Sequence, residues 1–119
     1  YAQIGVDYIG REAGRIADPM LRDRITRQVM QEQCLQLTAR RVAEESTSSG
    51  APGAATSIFK YGGSTLSKDG SELKSMLRGT RGLGWEGAAF TDAELESTRG
   101  WLRDRAVTIY GGTNEVQLN

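Results

Sequence analysis

The chain is predicted to be all-α, a helical bundle. Three observations carry this expectation. Apolar residues recur at helical spacing through most of the sequence. Proline occurs only at Pro19 and Pro52, while glycine is common and clustered. No stretch shows the apolar–polar alternation of a half-buried strand. Helices separated by glycine-rich breaks and packed on their apolar stripes are the architecture that fits.

The first segment, 1–14, places Ile4, Tyr8 and Ile9 close to helical spacing, and Gly10 and Gly14 weaken its end. Asp18-Pro19 is a start signal: aspartate is a good N-cap and proline is tolerated at the first helical position. The second helix is expected over 19–45. Leu21, Ile25 and Val29 recur every four residues, and Met30, Cys34, Leu37 and Val42 extend a broad apolar face. Residues 46–53 read as a loop by composition. A third helix is expected over 54–77, although Gly62, Gly63 and Gly70 are each unfavourable in a helix interior. Such glycines persist where backbones pack closely, and a break near Gly70 is open. Residues 78–89 form a glycine-rich loop with Leu83 and Trp85 as candidate anchors. A fourth helix is expected over 92–110, with Leu95, Trp101, Leu102, Ala106 and Ile109 on its apolar face. Gly111-Gly112 ends it, and Thr113 or Asn114 caps a fifth, of which one turn remains.

With 119 residues the chain is one domain at most, able to fold alone with little margin. It starts at Tyr1 rather than Met, already in helical pattern, and 116–119 read as a helix that has only begun. A fragment truncated at both ends is therefore the expectation. The net charge of +0 argues against nucleic acid, which needs a basic surplus. Of the 15 basic residues 12 are arginine, interleaved with acids as on solvated helix faces. The absence of histidine excludes Ser-His-Asp and Cys-His catalysis from this chain alone, and any His-ligated metal. The lone Cys34 suits a reducing compartment and reads as a small buried hydrophobe. No apolar run reaches the length of a membrane span and no secretory pattern opens the chain, so a cytoplasmic setting is expected.

The most informative string is Ile109-Tyr110-Gly111-Gly112-Thr113-Asn114-Glu115-Val116-Gln117-Leu118-Asn119. Two glycines permit a sharp turn with unusual dihedrals and let a ligand approach the backbone. The helix start after them offers unpaired N–H groups and a positive dipole end, which suit ligand oxygens or phosphates. On the residues alone, a glycine stop followed by a capped helix is the better account.

The string resembles the C-terminal signature of acyl-CoA dehydrogenases, approximately I-Y-(E or G)-G-T-(S/N)-E-(I/V)-Q-x-N. Weaker likenesses follow in order: Arg11 with Gly14 to an arginine-containing turn after a long helix, Thr38-Ala39-Arg40-Arg41 to an arginine-rich stretch, Ser57-Ile58-Phe59-Lys60 to A-S-x-x-K, and Gly79 to Gly84 to a glycine-rich turn. The resemblance covers the whole chain. It implies that residues 1–119 are a single C-terminal helical-bundle domain of a larger flavoenzyme, an oxidoreductase that desaturates an acyl-CoA thioester and passes a hydride to FAD. It further implies that Thr113, Asn114 and Glu115 lie along one FAD, and that Arg11 and the Gly79 region reach the FAD of a neighbouring subunit. The implied partners are acyl-CoA, an electron-transfer acceptor and further subunits, in a homo- or hetero-oligomer.

Two departures stand out. Many members of the family carry the catalytic glutamate immediately after the tyrosine of the string, where this chain has Gly111. The base then lies on an earlier helix or is absent, and no catalytic residue is assigned here; Glu12 reads as a surface acid. Leu102-Arg103 stands where many members have Arg-Asp, a change to a structural ion pair. A non-catalytic subunit of a mixed oligomer is the alternative, and an unrelated helical interaction module a third. Among other candidates, 61–68 has the colour of a phosphate loop without the G-K-[ST] order. Asp92, Glu94 and Glu96 read as a dipole-favoured helix start, and Trp85 and Trp101 as core or interface anchors.

Overall fold

The computed structural model describes residues 1–49 and 55–118. In chain order they form α1 (Ala2–Tyr8), β1 (Arg11–Glu12), β2 (Arg15–Ile16), α2 (Pro19–Ser49), α3 (Ala55–Leu77), a 3₁₀ turn (Gly79–Leu83), α4 (Asp92–Asp104), a second 3₁₀ turn (Ala106–Thr108) and α5 (Asn114–Leu118). The all-α bundle expected from the sequence is the fold, with α3 as its spine: α1, α2, α4, α5 and both 3₁₀ turns all contact it.

Helix α2 starts where Asp18-Pro19 predicts. Asp18 Oδ1 accepts the backbone N–H of Met20 at 2.8 Å and of Leu21 at 2.9 Å, satisfying two of the orphan donors of the first turn. The helix runs past 45 to Ser49; of the loop expected over 46–53, residues 50–53 lie outside the described set. Helix α3 runs without a break at Gly70. A Cβ there would collide with the Tyr1 hydroxyl and meet Gln28 Nε2 at 3.0 Å, so glycine leaves room for these two side chains over α3.

The core is small. Ile16, Leu21, Ile25, Leu73 and Leu77 are buried, with Tyr1, Ile4, Val6 and Ile9 packed around them. It lies where α1, β2 and the start of α2 close over the C-terminal half of α3.

Several expectations are corrected. The first helix stops at Tyr8 rather than 14: residues 11–16 form a two-residue antiparallel hairpin pairing Arg11 with Ile16 and Glu12 with Arg15. Its turn, Ala13-Gly14, has φ of 48° and 76°, the left-handed pair of a type I′ hairpin. A ladder this short leaves no alternation to detect. The broad apolar face of α2 is buried only at its start. Val29, Met30 and Leu37 are exposed, and so is Cys34, because no described element covers that stretch. Helix α4 ends at Asp104 rather than 110, since the chain tightens into a 3₁₀ turn. Its buried side consists of Glu94 and Thr98, while Leu102 and Ile109 face outward. Leu83 at 70 % and Trp85 at 54 % exposure are not core anchors of this chain; the turn is pinned instead by Gly82 O, which accepts from Ser75 Oγ at 2.6 Å and Thr98 Oγ1 at 2.9 Å.

Candidate functional site

The C-terminal string folds against the N-terminal half of α3. After the second 3₁₀ turn the chain reverses through Gly111 and Gly112, with φ of 70° and 94°. Both are left-handed, a conformation that side-chain-bearing residues rarely adopt, which is why glycine stands at each. Thr113 caps α5: its Oγ1 accepts the Val116 N–H at 3.3 Å and its carbonyl the Gln117 N–H at 3.2 Å. Glu115 is exposed. Hydrogen bonds from its own backbone N–H and from the Thr113 hydroxyl hold its carboxyl below the usual range against a smaller desolvation effect, so it is an anion at neutral pH.

Two residues of α3, one helical turn apart, hold the string from beneath. Lys60 Nζ donates to the Val107 carbonyl at 2.6 Å and lies 5.8 Å from the centre of the Tyr110 ring. It thus answers the carbonyl end of the 3₁₀ turn with a cation. Ser64 Oγ donates to Asn114 Oδ1 at 2.8 Å. Lys60 also flanks Gly111: a Cβ built there would be in ordinary contact with Lys60 Cε, at 3.7 Å.

Gly79 lies at the other end of α3, just past its last turn. Arg11 is on the exposed edge of the hairpin, and its guanidinium has no ion-pair partner among the described residues. Gly79, with φ 56°, follows directly on the last turn of α3. Arg78 beside it stacks over the Tyr8 ring at 5.5 Å, and the Tyr8 hydroxyl donates to Glu94 Oε1 at 3.1 Å, which ties the end of α1 to this corner. From Ser64 to Gly79 is about 20 Å at the rise of an α-helix. The structure therefore sets Thr113, Asn114 and Glu115 beside the N-terminal half of α3 and Gly79 beyond its C-terminal end, with Arg11 on the hairpin that follows α1.

The same corner holds a constellation that sequence reasoning missed. Arg81 donates from Nε and Nη2 to the two oxygens of Glu94, each at 2.8 Å. Thr91-Asp92-Ala93-Glu94 is the T-x-x-E pattern of a capping box, and both of its reciprocal bonds are present. That signal was legible; the arginine partner was not. The 61–68 stretch is helical throughout, so it is no phosphate loop. Among the described residues no group of three or more His, Cys, Asp or Glu side chains is placed to hold a metal, and no helix is long and apolar enough to cross a membrane.

Residues 8–119 match the model of the acyl-CoA dehydrogenase C-terminal domain family. No curated protein and no solved structure matches the chain.

Proposed function

Because the chain belongs to the acyl-CoA dehydrogenase family through its C-terminal domain, we propose that residues 1–119 serve as the helical C-terminal domain of a larger cytoplasmic, FAD-dependent acyl-CoA dehydrogenase. FAD supplies the hydride acceptor for the α,β-dehydrogenation of an acyl-CoA thioester, with an electron-transfer acceptor reoxidising it. The domain's part is to hold the cofactor and join subunits, and by itself it is inactive.

The residues present fit that group. Thr113, Asn114 and Glu115 offer a hydroxyl, an amide and an ionised carboxylate beside two glycine backbones that a ligand can approach closely. That set suits the hydroxyl-bearing chain and carbonyl edges of FAD. Arg11, exposed and without a carboxylate among the described residues, suits a diphosphate. The observation that carries the reading is the separation of the two groups along α3. Residues held about 20 Å apart at helical rise cannot act at one point of a cofactor, which agrees with the division between two FADs that the family resemblance implies. This supports Thr113, Asn114 and Glu115 on the chain's own FAD, and Arg11 with Gly79 on that of a neighbouring subunit in a homo- or hetero-oligomer.

A second reading is a non-catalytic subunit, and Gly111 motivates it. Its left-handed backbone strains any side chain at that position, and a carboxylate there would have the Lys60 side chain as its neighbour. Family membership sets aside the unrelated helical module. Visible spectra of the full-length protein, before and after anaerobic addition of a panel of acyl-CoAs, test both. A flavin band that bleaches with one acyl-CoA establishes the dehydrogenase. A band that never bleaches favours the silent subunit, and purified protein without flavin removes the first reading.

A further inference from the structure

We infer that Ser64 is a positioning residue that fixes which end of the Asn114 amide is offered to the cofactor; the inference rests on the function proposed above. Ser64 is 7 % exposed, under the string. Its Oγ lies 2.8 Å from Asn114 Oδ1 and 3.0 Å from the Tyr61 carbonyl oxygen. A hydroxyl has one proton and an amide oxygen has none, so two oxygens at 2.8 Å are stable only if the serine proton lies between them. Were it directed to Tyr61, Oγ would be left as an acceptor and the amide would have to turn Nδ2 toward it, so it is the placement of Oδ1 against Ser64 that assigns the proton to Asn114.

The consequence is directional. With Oδ1 held by Ser64, the two N–H bonds of Asn114 Nδ2 have no protein partner among the described residues. Asn114 is thereby a hydrogen-bond donor toward its ligand, matched to a ring carbonyl or a phosphate oxygen. Without the serine hydroxyl the amide is free to turn over and to set oxygen against oxygen. Ser64 is fifty positions from Asn114 and does not itself face the ligand; it acts through the amide alone.

The full-length flavoenzyme, stripped of flavin and titrated with FAD while flavin fluorescence quenching is followed, tests this in a double-mutant cycle. Ser64→Ala is expected to weaken the FAD Kd on the order of tenfold, the scale of one neutral hydrogen bond. Asn114→Ala weakens it comparably, and the double variant is no weaker than Asn114→Ala. Ser64→Thr, which keeps the hydroxyl, restores most of the loss. Asn114→Asp, which has no donor, binds more weakly than Asn114→Ala, an ordering that a purely structural role does not give. Thermal melts of the apoproteins check that each variant folds. Effects that multiply in the double variant, an unchanged Kd for Ser64→Ala, or Asn114→Asp binding as tightly as wild type would overturn the inference while leaving FAD binding intact. A full-length wild-type protein that takes up no FAD would overturn the function itself, and this inference with it.

Discussion

Arg81 and Glu94 meet in a two-point ion pair, Nε to Oε1 and Nη2 to Oε2, both at 2.8 Å. Glu94 is 2 % exposed. Its carboxylate also accepts the Thr91 backbone N–H at 2.7 Å and the Tyr8 hydroxyl at 3.1 Å. One side chain thus joins α1, the first 3₁₀ turn and α4, and so fixes the corner that carries Gly79. The Arg81 hydrogen bonds are the largest influence on its pKa, followed by the Thr91 N–H, and together they hold it down to about 2 against desolvation.

That depression sets a pH dependence. A carboxyl whose folded pKa lies below its unfolded value stabilises the fold fully above the unfolded pKa and loses the contribution as pH falls. For Glu94 the window runs from 4.5, its ordinary value, down to about 2. Glu94→Gln is expected to lower the melting temperature at neutral pH and to flatten the decline between these two values. Melting curves of wild type and variant across that range decide it, and parallel curves would sink the assignment.

Ala13 is the only side-chain-bearing residue of the described set with positive φ, at 48°. The left-handed region costs an alanine roughly 1–2 kcal/mol, and asparagine before glycine is the preferred pair for a type I′ turn. Ala13→Asn is therefore expected to stabilise the folded protein by about 1 kcal/mol, without touching Arg11's exposed side. Denaturant unfolding measures it; a lower midpoint would show that the turn does not keep this conformation.

How much of this was legible follows from range. Asp18-Pro19 marked the start of α2 because a cap acts within three residues, and Gly111-Gly112 with Thr113 marked the last turn for the same reason. The burial of α2 was not legible: Val29 and Leu37 have the spacing of a core face, but burial depends on what lies opposite, and nothing local states that. The end of α4 was missed because Ala106 and Ile109 continue the helical spacing into a tighter turn. At the site, Thr113 could be read as a cap. Arg11 and Gly79 entered through family resemblance alone, and Ser64 under Asn114 is a contact between positions fifty apart that no local rule connects.

The apolar surface left open makes a third prediction. Val29, Met30, Leu37 and Ile58 are each about half exposed or more, and they lie on α2 and α3, the two longest helices. Large apolar side chains left exposed in this number on two long helices are normally covered by another part of the protein or another subunit. Residues 1–119 alone are expected to self-associate, giving a mass by light scattering above 12.9 kDa that rises with concentration. A monomer at high concentration would remove the argument for an interface on this face.

Gly111 is shared by a chain that has moved its base and one that has lost it. Its φ of 70° costs any L side chain strain, and the Cβ position beside Lys60 Cε, 3.7 Å away, puts a carboxylate built there next to an ammonium. A neighbouring positive charge favours the ionised carboxylate and lowers its pKa, which weakens it as a general base. Gly111→Glu is therefore expected to create no dehydrogenase activity in a silent chain and to add none to an active one. The rate of flavin bleaching in the full-length protein under saturating acyl-CoA measures this. Faster bleaching in the variant would mean that Lys60 yields its place, and that the position after Tyr110 remains competent for proton abstraction. If bleaching is unchanged in Gly111→Glu and in Gly111→Glu combined with Lys60→Met, position 111 is not where this enzyme takes its proton. If only the combined variant gains rate, Lys60 is what disables a carboxylate there.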